Sequence, residues 1–248
     1  MYALRTRFKN GIVAEFLPPK KKSDKVIILC SGMPSVPAKT DLMEFFAKKN
    51  YWVFYPRYRG TWESGGRFLK VSPHKDILEI ISQLPRGFKD LWSGKTYKIQ
   101  PSKIYLLGSS FGGAAALLTS VNNRVTKVVA VSPVVDWRVK SKSEPVDWLC
   151  KFVKQAFGGA FRFSMADWNK LKNGKFYNPV SVVKKVNGKK IFIIHAKDDW
   201  VVNYKPVKKF TRETNSQLLL LKRGGHLSLS LLQKPQFYKK FKNFIDSK

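Results

Sequence analysis

The sequence predicts an α/β protein with a mostly parallel central sheet flanked by helices. Short apolar runs recur along the chain, and helical stretches alternate with them. A run that is apolar on both faces is typical of a strand in a sheet that is covered on both sides. Strands that alternate with helices predict parallel pairing, because each helix carries the chain back to the starting edge of the sheet.

The apolar runs predict buried strands at residues 26–30, 51–55, 104–107, 128–131, 191–194 and 218–221. The helical stretches lie at residues 40–49, 73–84, 111–120, 206–214 and 235–245. Before them, we expect an antiparallel hairpin with strands at 2–8 and 12–17, because Asn10-Gly11 is a strong turn signal between alternating residues.

Residues 137–190 interrupt this alternation. The segment has no strand pattern, is rich in Phe and Trp, and is too long for a simple connection. We interpret it as a short helical cap inserted over the strand ends, within a single domain that spans residues 1–248. The alternative is an enlarged crossover that packs against the side of the sheet.

The composition is that of a globular but very basic protein. The chain has 248 residues, of which 44% are hydrophobic, and a net charge of +31 from 47 basic and 16 acidic residues. Because the basic residues are scattered and no aromatic RNA-binding signature accompanies them, we expect non-specific attraction to polyanions and no specific nucleic-acid partner. Cys30 and Cys150 fall in no metal-ligand spacing and are predicted to be reduced.

The hydropathy pattern indicates no membrane partner. No apolar run is long enough to span a bilayer, and the first residues do not form a secretory signal. We therefore expect a cytoplasmic location. The sequence does not predict an oligomeric state.

The strongest functional motif is Gly-Ser-Ser-Phe-Gly at residues 108–112. It directly follows a predicted strand and precedes a helix of small residues, so its serine projects from the carboxyl end of the strand, where a base can reach it. Gly108 and Gly112 relieve crowding in such a turn. The motif predicts Ser110 as the nucleophile, and Ser109, which lacks this symmetry, is expected to point away.

A nucleophilic serine needs a base, and the chain has three histidines. His74 is predicted to open a helix and His195 to end a buried strand, so we interpret both as structural. His226 follows the last predicted strand on a loop that brings an imidazole over the sheet edge. We therefore predict His226 as the base.

The base needs a carboxylate, and the oxyanion needs two backbone N–H donors. Asp198 and Asp199 follow the strand at 191–194; the spacing favours Asp199, and the other aspartate is expected to cap the next turn. The predicted donors are Phe111, directly after the nucleophile, and Met33, in the loop after the first parallel strand.

Together these motifs resemble the α/β-hydrolase superfamily from about residue 26 onward. Residues 57–66 are similar to the Arg-Gly-x-Gly-x-Ser-x-Gly loop of that superfamily, with Trp62 at its middle glycine. Residues 195–202 are similar to its His-Gly-x-x-Asp-x-x-Val acid loop, and this alignment selects Asp199 over Asp198. Gly-Gly-His at 224–226 matches its histidine loop.

A finer resemblance concerns Tyr-Asn-Pro at 177–179, which is similar to a segment of prolyl-oligopeptidase-type peptidases and their small esterase relatives. The sequence departs from the superfamily at Ser31, where many members have the histidine of the oxyanion loop. The resemblance implies a backbone donor in this loop, which does not depend on that side chain.

The leading functional prediction is a carboxylesterase that cleaves small acyl esters through an acyl-enzyme on Ser110. The alternative is a small serine peptidase or aminopeptidase, which needs acidic residues near the site to hold a free amino terminus. Its candidates are Glu63, Glu144, Asp147 and Asp167. The sequence shows no β-propeller, with which large peptidases filter peptides, and this favours esters.

A third hypothesis is a basic binding protein without activity, and the retained Ser, Asp and His oppose it. We expect a small ester or short peptide as the substrate. No metal or organic cofactor is expected, because the triad supplies the nucleophile, the base and the charge stabilisation.

Overall fold

The centre of the molecule is an eight-stranded sheet. The computed structural model describes residues 2–139, 141 and 143–247. The strands of the sheet are β1 (Leu4–Arg7), β2 (Val13–Leu17), β3 (Lys25–Cys30), β4 (Trp52–Pro56), β7 (Lys103–Ser109), β8 (Lys127–Val131), β9 (Ile191–Ala196) and β10 (Gln217–Leu221). A separate hairpin consists of β5 (Phe88–Lys89) and β6 (Thr96–Tyr97).

The order of the strands across the sheet is β1-β2-β4-β3-β7-β8-β9-β10. The six strands from β4 to β10 in this order are parallel, and the β1–β2 hairpin joins the edge strand β4 antiparallel. The predicted mostly parallel sheet is therefore confirmed, and the N-terminal hairpin lies at its edge.

Helices cover both faces of the sheet. They are α1 (Thr40–Ala47), α2 (His74–Gln83), α3 (Phe111–Thr119), α4 (Val146–Phe157), α5 (Met165–Asn169), α6 (Tyr204–Thr214) and α7 (Pro235–Asp246). Side chains of α1 and α7 form one buried cluster with one sheet face, and side chains of α2, α3, α4 and α6 form a second cluster with the other.

Strand β3 illustrates why its run is apolar throughout. Val26 and Ile28 belong to one cluster, whereas Ile27 and Leu29 belong to the other. Successive side chains of a strand point to opposite faces, so a strand that is buried on both faces has no polar position.

The topology brings several loops together at one edge. From β3 the chain goes to β4 on one side and then returns to β7 on the other side of β3. The loop after β3 runs towards β4, and the loop after β7 runs towards β8 on the other side, so these two loops diverge. Such a point in a parallel sheet opens a crevice at the carboxyl ends of the strands. The loops after β8, β9 and β10 lie at the same edge, because those strands are parallel to β7.

The segment 137–190 contains α4, α5 and several 3₁₀ turns. Its middle part is hydrogen-bonded to the loop after β4: the Trp62 N–H donates to the Ala160 carbonyl at 2.8 Å, and the Arg162 N–H donates to the Gly60 carbonyl at 2.8 Å. Its first part borders the same pocket as Ser110, through Trp137 and residues near the start of α4. Both attachments hold the segment beside the loops at the carboxyl edge.

Two smaller features complete the fold. Cys30 and Cys150 are buried free thiols. Among the described residues, no helix is long and apolar enough to cross a membrane.

Candidate active site

The turn between β7 and α3 holds Ser110 in a strained conformation. Its φ of 53° and ψ of −120° are unusual for a residue with a side chain. The turn is also crowded: a Cβ on Gly108 would lie 2.3 Å from the Gly112 carbonyl oxygen, and a Cβ on Gly112 would lie 2.1 Å from the Cys30 carbonyl oxygen. Only glycine fits at these two positions, which is the physical reason for the Gly-x-Ser-x-Gly pattern.

Residues 131–134, which comprise the last residue of β8 and the three after it, support this turn. The Ser110 N–H donates to the Val131 carbonyl at 3.0 Å, and the Val134 N–H donates to the Ser110 carbonyl at 3.1 Å. The same segment also holds the loop after β10, because the Leu227 N–H donates to Ser132 Oγ at 3.2 Å. One short segment therefore positions both the Ser110 turn and the His226 loop.

His226 is hydrogen-bonded to Asp199. The imidazole Nδ1 lies 3.1 Å from Oδ1 and 2.9 Å from Oδ2 of the carboxylate. An ionised carboxylate only accepts hydrogen bonds, so Nδ1 carries the proton and Nε2 presents a lone pair. This is the tautomer in which an imidazole can take a proton from a serine hydroxyl.

The environment of Asp199 keeps it ionised. Burial raises the pKa of this carboxyl, but hydrogen bonds from His226 and from the Val202 backbone outweigh burial, so the pKa lies below its usual range. The N–H groups of Val201 and Val202 donate to Oδ1 at 3.0 and 2.9 Å. Asp199 therefore caps the turn that follows it and also binds the imidazole.

Asp198 has a different role from the expected one. The prediction that Asp198 caps the following turn is wrong, because the N–H groups of Val201 and Val202 in that turn donate to Asp199. Asp198 instead accepts the N–H groups of Gly224 at 3.2 Å and Gly225 at 3.0 Å. It thus ties the His226 loop to the acid loop from the exposed side.

The other two histidines are placed where proton transfer with Ser110 is disfavoured. His195 is fully buried in β9, and its Nε2–H donates to the Val202 carbonyl at 2.9 Å. Burial lowers the pKa of His195, so its ring stays neutral. His74 lies at the start of α2, where Thr119 Oγ1 donates to its carbonyl at 3.4 Å. Thr119 is at the opposite end of α3 from Ser110, roughly 12 Å away along the helix axis, so His74 lies beside the far end of that helix.

The predicted oxyanion donors lie beside Ser110. Phe111 begins α3, so its N–H has no partner four residues earlier within the helix, and the positive end of the helix dipole points towards the turn. Met33 is buried and lines one pocket together with Ser110 and Phe111. Its neighbour Gly32 is so close that a Cβ there would lie 3.8 Å from Ser110 Cβ.

A pocket of about 660 Å³, including its open mouth, adjoins Ser110. Its wall is largely apolar and includes Met33, Phe111, Val135, Trp137, Leu149 and Val202. The described wall has two acidic side chains, Asp136 and Glu144. Asp136 forms an ion pair with Arg138 at 2.8 Å, whereas Glu144 has no ion pair among the described residues. Burial raises the pKa of Glu144; the charge of His226 lowers it, and that of Asp199 raises it.

The described residues form no cluster of three or more His, Cys, Asp or Glu side chains that suits a metal ion.

The family model described as the prolyl oligopeptidase family matches residues 39–248. The chain belongs to the prolyl oligopeptidase family. It is accordingly a serine hydrolase. No curated protein sequence matches it.

Solved structures that resemble this prolyl oligopeptidase family member share its fold over nearly its whole length. An esterase of Pyrococcus furiosus is 18% identical, with a TM-score of 0.71 over 98% of this chain and 90% of the esterase. An acylaminoacyl peptidase of Pyrococcus horikoshii is 17% identical, with a TM-score of 0.66 over 99% of this chain and 41% of the peptidase. An α/β hydrolase of a Penicillium species is 14% identical, with a TM-score of 0.70 over 98% of this chain and 97% of the hydrolase. The fold is therefore that of the α/β hydrolases.

Two residues of the family motifs have structural roles that the sequence did not predict. Trp62 stands at the middle glycine of the loop after β4 and has a φ of 46°, a conformation that glycine adopts more readily. Its indole N–H donates to the Ser35 carbonyl at 3.0 Å, which offsets part of this strain. Tyr177 donates its hydroxyl hydrogen to the Phe111 carbonyl at 2.7 Å, so the Tyr-Asn-Pro segment is attached directly to the start of α3.

Proposed function

We propose that the chain is a carboxylester hydrolase with Ser110 as the nucleophile, His226 as the general base and acid, and Asp199 as the group that orients it. Ser110 Oγ forms a bond to the ester carbonyl carbon while its proton moves to His226 Nε2. The N–H groups of Phe111 and Met33 stabilise the resulting oxyanion. The C–O bond to the alcohol then breaks, and the alcohol leaves with the proton from His226.

The second half of the reaction repeats these steps with water. His226 takes a proton from the water that attacks the acyl-enzyme, and it returns this proton to Ser110 Oγ as the acid leaves. Asp199 remains ionised throughout and stabilises the imidazolium that forms twice in each cycle. In the described residues, no hydrogen bond joins Ser110 Oγ to His226; in enzymes of this kind that bond often tightens only when substrate is bound.

The observation that carries the preference for esters is the apolar wall of the pocket beside Ser110. A peptidase that holds a free amino terminus needs carboxylates around it, and the sequence offered four candidates. Three of them are ion-paired to basic side chains and are not in the pocket wall: Glu63 with Arg5 and Arg57, Asp147 with Lys172, and Asp167 with Arg67 and Lys170. The pocket wall is suited to an acyl chain, whose burial there is favourable by about 0.8 kcal/mol per CH₂ group.

The test compares p-nitrophenyl esters from acetate to octanoate with the parent protein and Ser110→Ala. We expect kcat/KM to rise with acyl length until the pocket is filled, and to fall by roughly 10⁴-fold or more in Ser110→Ala. Ser109→Ala is the matched control, because Ser109 is the last residue of β7, and its loss should change kcat/KM less than tenfold. Equal rates for Ser110→Ala and the parent would overturn the proposal.

A second candidate is a small aminopeptidase, and the observation that favours it is Glu144. Its carboxylate is in the pocket wall, where a substrate ammonium group would find a charge partner. Aminoacyl p-nitroanilides distinguish the two functions. The aminopeptidase requires that they be better substrates than esters of equal size and that Glu144→Gln raise their KM selectively.

A further inference from the structure

Helix α4 has two adjacent aromatic side chains on its solvent face. Trp148 is 46% exposed and Phe152 is 38% exposed, and their rings are stacked with centroids 5.1 Å apart and an interplanar angle of 6°. They are four residues apart and so lie on the same side of the helix. Exposed hydrophobic residues are common singly, but two contiguous aromatic rings form an apolar patch, which often marks an interaction site. We call Trp148 and Phe152 the aromatic pair.

The segment that carries the aromatic pair has a positive net charge. Between residues 146 and 175 the sequence has six basic and two acidic residues. Both acidic residues are ion-paired, Asp147 with Lys172 and Asp167 with Lys170. Lys151, one helical turn after Trp148, is exposed. This local excess has the same sign as the net charge of +31, so the surface is complementary to an anionic partner.

The aromatic pair is also close to the mouth of the pocket. Val146 and Leu149 of the same helix line the pocket beside Ser110. Before the helix, Ser143 Oγ donates to the Trp200 carbonyl at 2.7 Å. Trp200 is on the acid loop and is 65% exposed. The apolar surface of α4 therefore adjoins the entrance through which a substrate reaches Ser110.

We propose that α4 docks this protein on an anionic lipid surface. The aromatic pair enters the region between the headgroups and the acyl chains, and Lys151 and its basic neighbours contact the lipid phosphates. Exposed tryptophan and phenylalanine on a short amphipathic helix, with lysines beside them, have the chemistry of interfacial membrane binding. Anionic headgroups supply the negative charge that complements the basic residues of this protein surface. This binding is independent of catalysis and goes beyond the proposed function, although it would place the pocket mouth next to lipid.

The test measures sedimentation with two kinds of vesicle, phosphatidylcholine alone and phosphatidylcholine mixed with phosphatidylglycerol. We expect the parent protein to bind the mixed vesicles and to bind phosphatidylcholine weakly. The double variant Trp148→Ser/Phe152→Ser should reduce partitioning about tenfold or more, because the apolar contribution is lost. The matched control is Trp92→Ser: Trp92 is 76% exposed, but it lies in the β5–β6 hairpin, where the Leu91 N–H donates to the Arg5 carbonyl of the outermost strand β1 at 2.7 Å. This control should bind as the parent does.

Two further variants separate charge and catalysis from the apolar contribution. Lys151→Gln should weaken binding and reduce its salt dependence. Ser110→Ala should bind like the parent, so a failure of the proposed catalysis leaves this test intact. The aromatic double variant should keep the melting temperature and the turnover of a short soluble ester, because neither ring lines the pocket.

Four outcomes would overturn the proposal. The first is no binding to the mixed vesicles. The second is equal binding by the parent and the aromatic double variant, which indicates adsorption by charge alone. The third is a dimer, measured by light scattering, that the double variant dissociates, because a second copy then covers this face. The fourth is binding of single-stranded oligonucleotides, but not vesicles, that depends on the aromatic pair.

Discussion

The two neighbouring aspartates give the sharpest test of the proposed triad. In Asp199→Asn the side chain keeps its shape, but it offers an amide to His226 Nδ1 in place of a carboxylate. Asp199 accepts the imidazole N–H at 2.9 and 3.1 Å, so the substitution removes the acceptor that fixes the proton on Nδ1. The imidazole then presents an N–H to Ser110 in place of a lone pair. A wrong tautomer of this kind lowers kcat by about 10⁴-fold, or about 5 kcal/mol of transition-state stabilisation.

Asp198→Asn is the matched control. Asp198 is exposed, accepts the backbone N–H groups of Gly224 and Gly225, and retains one acceptor oxygen as an asparagine. Loss of one of two such hydrogen bonds should lower kcat/KM tenfold or less. The assay is the steady-state hydrolysis of a p-nitrophenyl ester, with melting temperatures to verify that both variants fold. A larger loss for Asp198→Asn than for Asp199→Asn would refute the reasoning.

Three further predictions concern the turn, the pocket and a distant histidine. Gly112→Ala should lower the free energy of unfolding by about 3 kcal/mol, because the added Cβ would meet the β3 backbone at 2.1 Å. Gly159→Ala, which has open space around it, should change the free energy of unfolding by less than about 0.5 kcal/mol. Urea unfolding measures both variants, and equal effects would contradict the crowding argument. Burial raises the pKa of Glu144, so a carboxyl titration above the ordinary range should appear in the pH profile of kcat/KM for the parent protein and be absent for Glu144→Gln; identical profiles would show that the charge of Glu144 does not affect turnover. Burial lowers the pKa of His74 to about 4 from its ordinary 6.5, so the unfolded chain takes up this proton first as the pH falls; the corresponding stability is complete above pH 6.5 and is lost between pH 6.5 and 4. Denaturant unfolding at several pH values should therefore show that His74→Gln reduces this pH-dependent loss by at most about 3 kcal/mol, and an unchanged slope would contradict the buried neutral ring.

The features that could be predicted from sequence are those encoded by neighbouring residues. The strand, the two glycines and Ser110 occupy one continuous stretch, so the turn between β7 and α3 is visible in the sequence. The apolar run at 104–107 gave the centre of β7 but not its end, because Ser109 stays in the sheet by pairing with Val131. Polar residues at strand ends owe their conformation to the neighbouring strand, which a local pattern does not contain.

The parts of the site that could not be predicted depend on contacts between distant segments. The hydrogen bond from the Leu227 N–H to Ser132 Oγ joins residues 95 positions apart, and no spacing rule identifies Ser132. The two strands of the β5–β6 hairpin have only two residues each, too few for a periodic pattern. Glu144 was one of four acidic candidates for the pocket, and only the packing of the segment 137–190 distinguishes it from the other three.

The shared attachment of the Ser110 turn and the His226 loop to residues 131–134 affects how the protein can diversify. A shift of this segment carries Ser110 and His226 in the same direction, so their separation varies less than the position of either one relative to the rest of the molecule. The part of the pocket wall around Glu144 and Leu149 is supplied by a later part of the chain. Substitutions in that wall can therefore alter which groups fit the pocket while Ser110 and His226 keep their relative position.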